Sequence, residues 1–364
     1  MKKILIGSIL LMLILPFFAT ERKSASGKEN FRLVNADKLL LSRQEDEQIL
    51  ELLGRVHFFY GKIEFKSDRA LILDKQKTVR LFGNVRVSND TLSVTSDTLA
   101  YYRIPEILNA GGAVLVTEKK QDGTLRWIRS EFATYNLKEE KITSWQNVRA
   151  YDLAENAYAE CNYAFWDRKT GYAYLIEEPW LRTGKADTLT IHAEKMEFFD
   201  KDRKLIATFN VKVENKDYIA TSDFLIYFIK EDKAVFTGEP LFKSDFATAS
   251  SNEFYLYFKD RKLTQAELKD SCLVLFSEER KGAQTNWVKA DFINIAFEND
   301  AIRQFSAEDR VSYYYYQPKG DKKDYLENEA SGAFLEAKFK PDSKLETMRM
   351  MKGIRGKYKF QNNS

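Results

Sequence analysis

The chain is poor in the residues that carry chemistry. Two histidines and two cysteines in 364 residues leave little from which to build a metal centre or a nucleophile–base pair. His57 and His192 lie far apart in sequence, and no short spacing joins either to a cysteine or to paired carboxylates. Neither reads as catalytic, so no enzyme activity, cofactor or metal is expected. Cys161 and Cys272 read as small apolar fillers, with pairing in an oxidising compartment as the alternative. Only six prolines interrupt the chain. Charge of one sign is lacking too: 57 Lys and Arg against 54 Asp and Glu, interspersed throughout, give a net charge of +3. A nucleic-acid partner would need clustered basic charge and is excluded. Gly111-Gly112 follows Asn109-Ala110 without a helix signal, so it reads as a turn and not a phosphate loop. Helical spacing is nearly absent; Glu45 to Leu53 alone reads as a turn or two, or as a loop leading into a strand.

Aromatics are abundant instead, at 14% within a 44% hydrophobic total, a composition that suits strands. At the N-terminus Lys2 and Lys3 precede an apolar run from Ile4 to Leu15, ending at Pro16. That is the layout of a secretory signal, too short for a membrane span of about 20 residues. Residues 1–27 are read as a cleaved signal with an ill-defined cleavage point, an uncleaved anchor being the rival. No cysteine follows the run, so a lipoprotein anchor is not expected, and no later run is long enough to cross a membrane as a helix. The mature protein is then periplasmic, a single elongated domain over 28–364.

The chain repeats itself. LFGNVRVSNDTLSVTSDTLAYY (Leu81–Tyr102) returns as TFNVKVENKDYIATSDFLIYF (Thr208–Phe228) about 125 residues later. Each copy reads as two strands with period-2 alternation around a polar turn. One landmark recurs, a small residue followed by an acid, placed at the start of a strand. It stands at Ala36-Asp37, Ser67-Asp68, Ser96-Asp97, Ser130-Glu131, Ala159-Glu160, Ala193-Glu194, Ser222-Asp223, Asn252-Glu253 and Ala290-Asp291, with a weaker copy at Asn328-Glu329. The step is about 30 residues, nearer 40 at the end, a period that marks a repeat architecture. The landmark acids read as backbone or turn partners and not as a ligand ladder. Counting on from each landmark places Ile72, Leu99, Tyr101, Tyr135, Trp166, Met196, Phe198, Leu225, Tyr227, Tyr255, Tyr257, Ile293 and Ile295 on one apolar face. That face reads as packed core or as the wall of a groove. Glu178-Pro179 and Glu239-Pro240 replace Gly-Asn-Val in two copies and predict edges or bulges. Tyr313 to Tyr316 reads as a docking patch or as a strand with Tyr on both faces.

FGNVRVSNDTLSVTSDTLAYY and FNVKVENKDYIATSDFLIYF resemble the repeat of the OstA-like proteins, which include the periplasmic lipopolysaccharide-transport bridge LptA and the N-terminal domain of its outer-membrane partner. The resemblance is sharpest over Gly54–Tyr102 and Ala193–Phe258. It implies an all-β, elongated β-jellyroll built of repeated two-strand units. It implies a non-enzymatic function: carrying lipopolysaccharide or a related glycolipid from inner to outer membrane in an apolar groove lined by the thirteen residues named above. Partners would be that lipid and other jellyroll transport proteins joined end to end, with homo-oligomers possible, through edges at Phe31 to Leu41 and Ile354 to Phe360. The chain is about twice the usual length of the bridge protein. The alternatives are an inner-membrane-anchored relative, an exported structural or adhesive β-solenoid with a filled core, and, least supported, a β-helical enzyme acting on polysaccharide.

Overall fold

A computed structural model describes residues 31–361, apart from 120–122, 154–155, 185–187, 260–261, 278–284, 299–300, 320–323 and 342–344; the export signal lies outside the described residues. All regular structure there is strand, in one antiparallel sheet in which nearly every long strand pairs with its sequence neighbours. The stretch from Glu45 to Leu53 is no helix; it enters strand Glu47–Tyr60.

What shapes this sheet is a corner in the middle of each strand. Ten pairs of consecutive residues adopt left-handed φ: Gly54–Arg55, Gly83–Asn84, Gly112–Ala113, Gln146–Asn147, Glu177–Glu178, Phe209–Asn210, Gly238–Glu239, Asp270–Ser271, Asp309–Arg310 and Lys352–Gly353. They fall on alternate strands, 29 residues apart between Gly54 and Gly83 and 43 between Asp309 and Lys352. At each the pairing register slips, as between Phe82 and Val85 opposite Ser96 to Thr98. Bulges of this kind bend the strand, and here they fold the sheet into two facing arms. Arm A holds segments such as Thr98–Tyr102, and arm B segments such as Leu92–Ser96.

The small-plus-acid landmark is the other half of the corner, not a strand start. Ser96-Asp97 sits at the centre of strand Leu92–Tyr102. Leu92, Val94 and Ser96 are buried on one arm, Leu99 and Tyr101 on the other, and Asp97 and Thr98 are exposed between them. The extra residue reverses the alternation, so both arms turn their apolar side inward. The serine bridges the bend: Ser67, Ser96, Ser130, Ser222 and Ser251 each donate Oγ to the carbonyl two residues on, at 2.7–2.9 Å. The acid braces the neighbouring left-handed pair. Asp37, Asp68, Asp97 and Asp223 lie against Gly54, Gly83, Gly112 and Gly238. Asp68 also accepts from Asn84 Nδ2 at 2.8 Å, as Asp37 does from Arg55 and Asp291 from Arg310. Gly112 is therefore part of a corner and not of a terminal turn.

Three landmarks are displaced from their sequence placement. Strand Ala157–Asp167 bends at Cys161-Asn162, two residues beyond Ala159-Glu160. The next-to-last corner acid is replaced by Asn252, whose amide donates to the carbonyls of Lys269 and Asp270 just as Asp37 donates to Leu53 and Gly54; the landmark is thus Ser251-Asn252. Asn328-Glu329 pairs regularly with Tyr315 and Tyr314, and the bend lies near Gly332. Pro179 and Pro240 sit where the corner breaks the strand outright, between Tyr172–Ile176 and Trp180–Thr183 and between Lys233–Thr237 and Leu241–Ser244. Tyr313 is buried and Tyr316 exposed, so the tyrosine run alternates faces.

The corner generates a test. A Cβ at Gly83 would stand 2.5 Å from Asp68 Oδ2 at a φ of +72°. Gly83→Ala should lower the unfolding free energy by about 2 kcal/mol in urea melts. Adding Asp68→Ala should recover the steric part but not the backbone part, leaving about 1 kcal/mol. Equal losses in both backgrounds would mean that the acid does not brace the corner.

Candidate functional site

The interior between the arms is the one continuous feature of the molecule. One residue from each successive strand forms a row on arm A beside the corners. It runs through Leu52, Ala70, Leu81, Leu99, Ala110, Ala133, Ser144, Ala164, Leu175 and Met196, and continues through Ala207, Leu225, Phe236, Phe254, Leu268, Ile293, Ala307 and Leu335. All are buried, and only Ser144 is polar. At about 4.8 Å per strand the row extends roughly 80 Å. A second inward row on the same arm lies two residues further from the corners and includes Ile72, Tyr101, Tyr135, Trp166, Phe198, Tyr227 and Ile295.

The structure thus brings eleven of the thirteen residues expected from sequence onto two adjacent rows: Leu99, Met196, Leu225 and Ile293 on the first, the other seven on the second. Tyr255 and Tyr257 are corrections. Inward at that strand are Phe254, Leu256 and Phe258. Tyr255 faces out, bonding Glu253 and lying under Lys269 at 4.0 Å, and Tyr257 bonds Glu267. The landmark was read one residue late, and a one-residue slip exchanges the faces of a strand.

Sequence reasoning missed arm B entirely. Its inward row runs through Phe58, Phe65, Val87, Val94, Val116 and Ile128, onward by Ile191, Val213 and Val274 to Tyr313. The signal was present as alternation ahead of each landmark, in VRV and in VLV. What hid it was treating the landmark as the strand's beginning.

The arms close on each other. Phe65 of arm B lies 5.6 Å from Tyr101 of arm A. One small void of about 10 Å³ lies among Val94, Leu108, Ala110, Val116, Ala133, Tyr135 and Ile142, room for about one water. This void adjoins the stretch where the first row turns small, at Ala110, Ala133, Ser144 and Ala164. The buried residues divide into two clusters, one from Leu52 to Ile142 and one from Val148 to Ala337.

At the rim opposite the corners, arginines reach between the arms, Arg103 and Arg168 from arm A and Arg126 from arm B. Arg103 Nη1 donates to Tyr60 Oη at 2.9 Å. Arg168 donates to Glu118 Oε1 at 2.6 and 3.2 Å and to Tyr135 Oη at 3.1 Å. Arg126 lies 4.9 Å above Trp166 and pairs with Asp152 at 3.2 Å. Burial works to lower the Arg168 pKa, but Glu118 and Tyr135 outweigh it and hold the guanidinium above its ordinary range. Burial raises the Tyr135 phenol. These contacts latch the interior shut.

Chemistry beyond enclosure finds little support. Among the described residues no three of His, Cys, Asp and Glu lie close enough to share a metal ion. His57 faces Glu64 while His192 stacks near Trp180. Both cysteines are buried and unpaired with each other, and burial pushes each thiol up to about 12. No helix among the described residues is long and apolar enough to cross a membrane.

The fold and interior define a class: an all-β, elongated β-jellyroll of repeated two-strand units whose folded sheet encloses an apolar interior. Within that class the family model of OstA-like protein matches residues 28–128, the part that holds the Gly54, Gly83 and Gly112 corners with Asp37, Asp68 and Asp97. That match shows that this part of the chain is similar to the OstA-like proteins. A search of the solved structures finds a crystal structure of LptH from Pseudomonas aeruginosa, described as the LptA homologous periplasmic component of the conserved lipopolysaccharide transport device. It is 12% identical, the alignment covers 46% of this chain and 76% of that one, and the TM-score is 0.14; the similarity therefore rests on the family match. No curated protein matches.

Two tests follow from the site. Glu118→Gln should destabilise the protein by about 1–3 kcal/mol, because Arg168 keeps its buried charge and loses its nearer counter-charge, with Glu140 left at 3.7 Å; an unchanged melting temperature would show that the rim is not latched. Both thiols should resist a disulfide-exchange reagent at pH 8 in the folded protein and react fully in urea. Rapid labelling of the native protein would contradict their burial.

Proposed function

We propose that this chain is a non-catalytic periplasmic carrier that shields the acyl chains of lipopolysaccharide, or of a related glycolipid, between its arms. The observation that supports this most is the continuous buried row from Leu52 to Leu335, apolar at every strand except for Ser144. An ordinary core is a cluster about as wide as it is long; this one is one sheet long and serves equally well at every strand. Each acyl CH₂ kept from water contributes about 0.8 kcal/mol, so two or three chains supply ample affinity. The OstA-like match over residues 28–128 points the same way. In the closed form the arms must part at the rim to admit a chain, which assigns the Arg103 and Arg168 contacts the part of latches.

The end strands suit a chain of such carriers. Strands Phe31–Asn35 and Lys38–Gln44 form one edge, exposed throughout, with Leu39 52%, Leu40 50% and Leu41 64% accessible. Strands Leu345–Met351 and Arg355–Gln361 form the other. Open edges of this kind add a strand from a partner, whether a related jellyroll or a second copy. The closed interior favours a second reading, a structural solenoid with a filled core.

Site-specific photo-crosslinking to lipopolysaccharide separates the two. A light-activated residue at Leu99, Leu225 or Phe254 should give lipid adducts, and at outward Asn89, Lys201 or Tyr257 none. Adducts should increase when Glu118→Gln loosens the rim. A folded protein with no adduct at any inward position carries no lipid there and is the solenoid.

A further inference from the structure

The corner rule loses both its acid and its glycine at two places, at Asn252 with Asp270 and at Asn162 with Glu177, and an open surface depression lies beside the second. Asp37, Asp68, Asp97 and Asp223 each press on a glycine of the next strand. At the corner joining strand Ala157–Asp167 to Tyr172–Ile176 the roles are exchanged. The amide Asn162 stands where the acid should be, and Glu177 stands in the glycine's place with φ +62°. On the adjoining strand the left-handed pair is Gln146–Asn147, also without glycine. Left-handed residues other than glycine cost of order 1 kcal/mol or more each, and runs of them mark sites where something besides stability is being met.

Between these corners, on the outer face of arm A, lies an open depression lined by Thr143, Trp145, Gln146, Asn162, Tyr163 and Glu177. Trp145 and Tyr163 face each other on paired strands. Each is backed by a parallel ring, Phe132 at 5.7 Å and 18° behind Trp145, and Tyr174 at 6.1 Å and 17° behind Tyr163. The two rings are therefore fixed platforms, not free side chains. The polar groups beside them are uncommitted. Among the described residues the Trp145 indole N–H, the Gln146 amide and the Glu177 carboxylate meet no hydrogen-bond or ion-pair partner. Asn162 uses its Oδ1 on the Asn147 amide at 3.4 Å and keeps its side-chain NH₂ free.

We propose that this cleft binds an uncharged saccharide. A pyranose presents two C–H faces and a ring of hydroxyls. Fixed aromatic planes receive the faces, and a carboxylate with two amides, able to donate and accept, receives the hydroxyls. Glu177 and Glu178 at the rim place negative charge where a phosphate or uronate would have to sit, which selects against anionic sugars. The site faces away from the apolar interior and does not depend on the carrier reading.

The test uses the full mature chain, with a β1,4-linked N-acetylglucosamine tetramer and maltotetraose as neutral probes and deacylated lipopolysaccharide oligosaccharide as the phosphorylated probe. Binding is followed by saturation-transfer NMR and tryptophan fluorescence. At least one neutral probe should bind, and Trp145→Ala should weaken it tenfold or more. Trp145→Phe should retain most of the affinity, and Trp287→Ala, an outer-face tryptophan elsewhere, all of it. Gln146→Ala with Glu177→Gln, which leaves the rings in place, should also weaken binding and covers the case in which Trp145→Ala fails to fold. No neutral probe bound at millimolar concentration, binding unmoved by these variants, or binding of the phosphorylated probe alone would each overturn the proposal. Lipid crosslinking at Leu99 in the Trp145 variants should be unchanged, so failure here is distinguishable from failure of the carrier reading.

Discussion

Everything in this molecule depends on bending each strand once, at its centre, without losing the sheet. Two consecutive left-handed residues on one strand and one outward acid or amide residue on the next, set against them, achieve it. The acid's neighbour, often serine, is buried and bonds across the bend, while the acid lies outside against the left-handed pair. An unbent strand with period-2 alternation would present its apolar side to one face of a flat sheet and leave it wet. The bend turns the two ends of the same strand toward each other, so each strand closes its own section of interior. Backbone strain of order 1 kcal/mol at a corner is small beside the burial of four inward residues, at about 1.5–3 kcal/mol each.

Because every strand contributes a section, the interior grows by addition. It has no centre, and its cross-section varies with side-chain size alone. Where the inward row runs Ala110, Ala133, Ser144, Ala164, its side chains are small, the rim carries its Arg168–Glu118 contact, and the buried residues divide into two clusters. The same strands carry the altered corner and the outer cleft. Other departures from the repeat lie further on, at Pro240, Ser251-Asn252 and Gly332.

Much of this was legible in the residues. The repeat, the all-β class and the arm A rows followed from the landmark and the two-residue period, since Leu99, Tyr101, Leu225 and Ile293 stand at constant offsets from an acid. The failures share one cause. A corner in mid-strand and a strand start look alike when only one side of the landmark is counted. Val87, Val94 and Val213 were therefore left out. Where serine and acid were replaced, as at Ser251-Asn252, the count slipped by one and turned Tyr255 and Tyr257 to the wrong face.

The sequence by itself determined that the chain repeats, that its strands alternate, and which side of most strands is apolar, because period and polarity are local properties carried in each copy. Only the tertiary structure decided that the two ends of a strand face one another, that the interior is shut by arginines reaching across the rim, and that Asn162, Trp145 and Glu177 meet in one cleft. Those are relations between strands. They depend on backbone dihedrals at non-glycine residues such as Gln146, Phe209 and Asp270, whose left-handed geometry is imposed by their neighbours in the sheet and leaves no mark in the letters themselves.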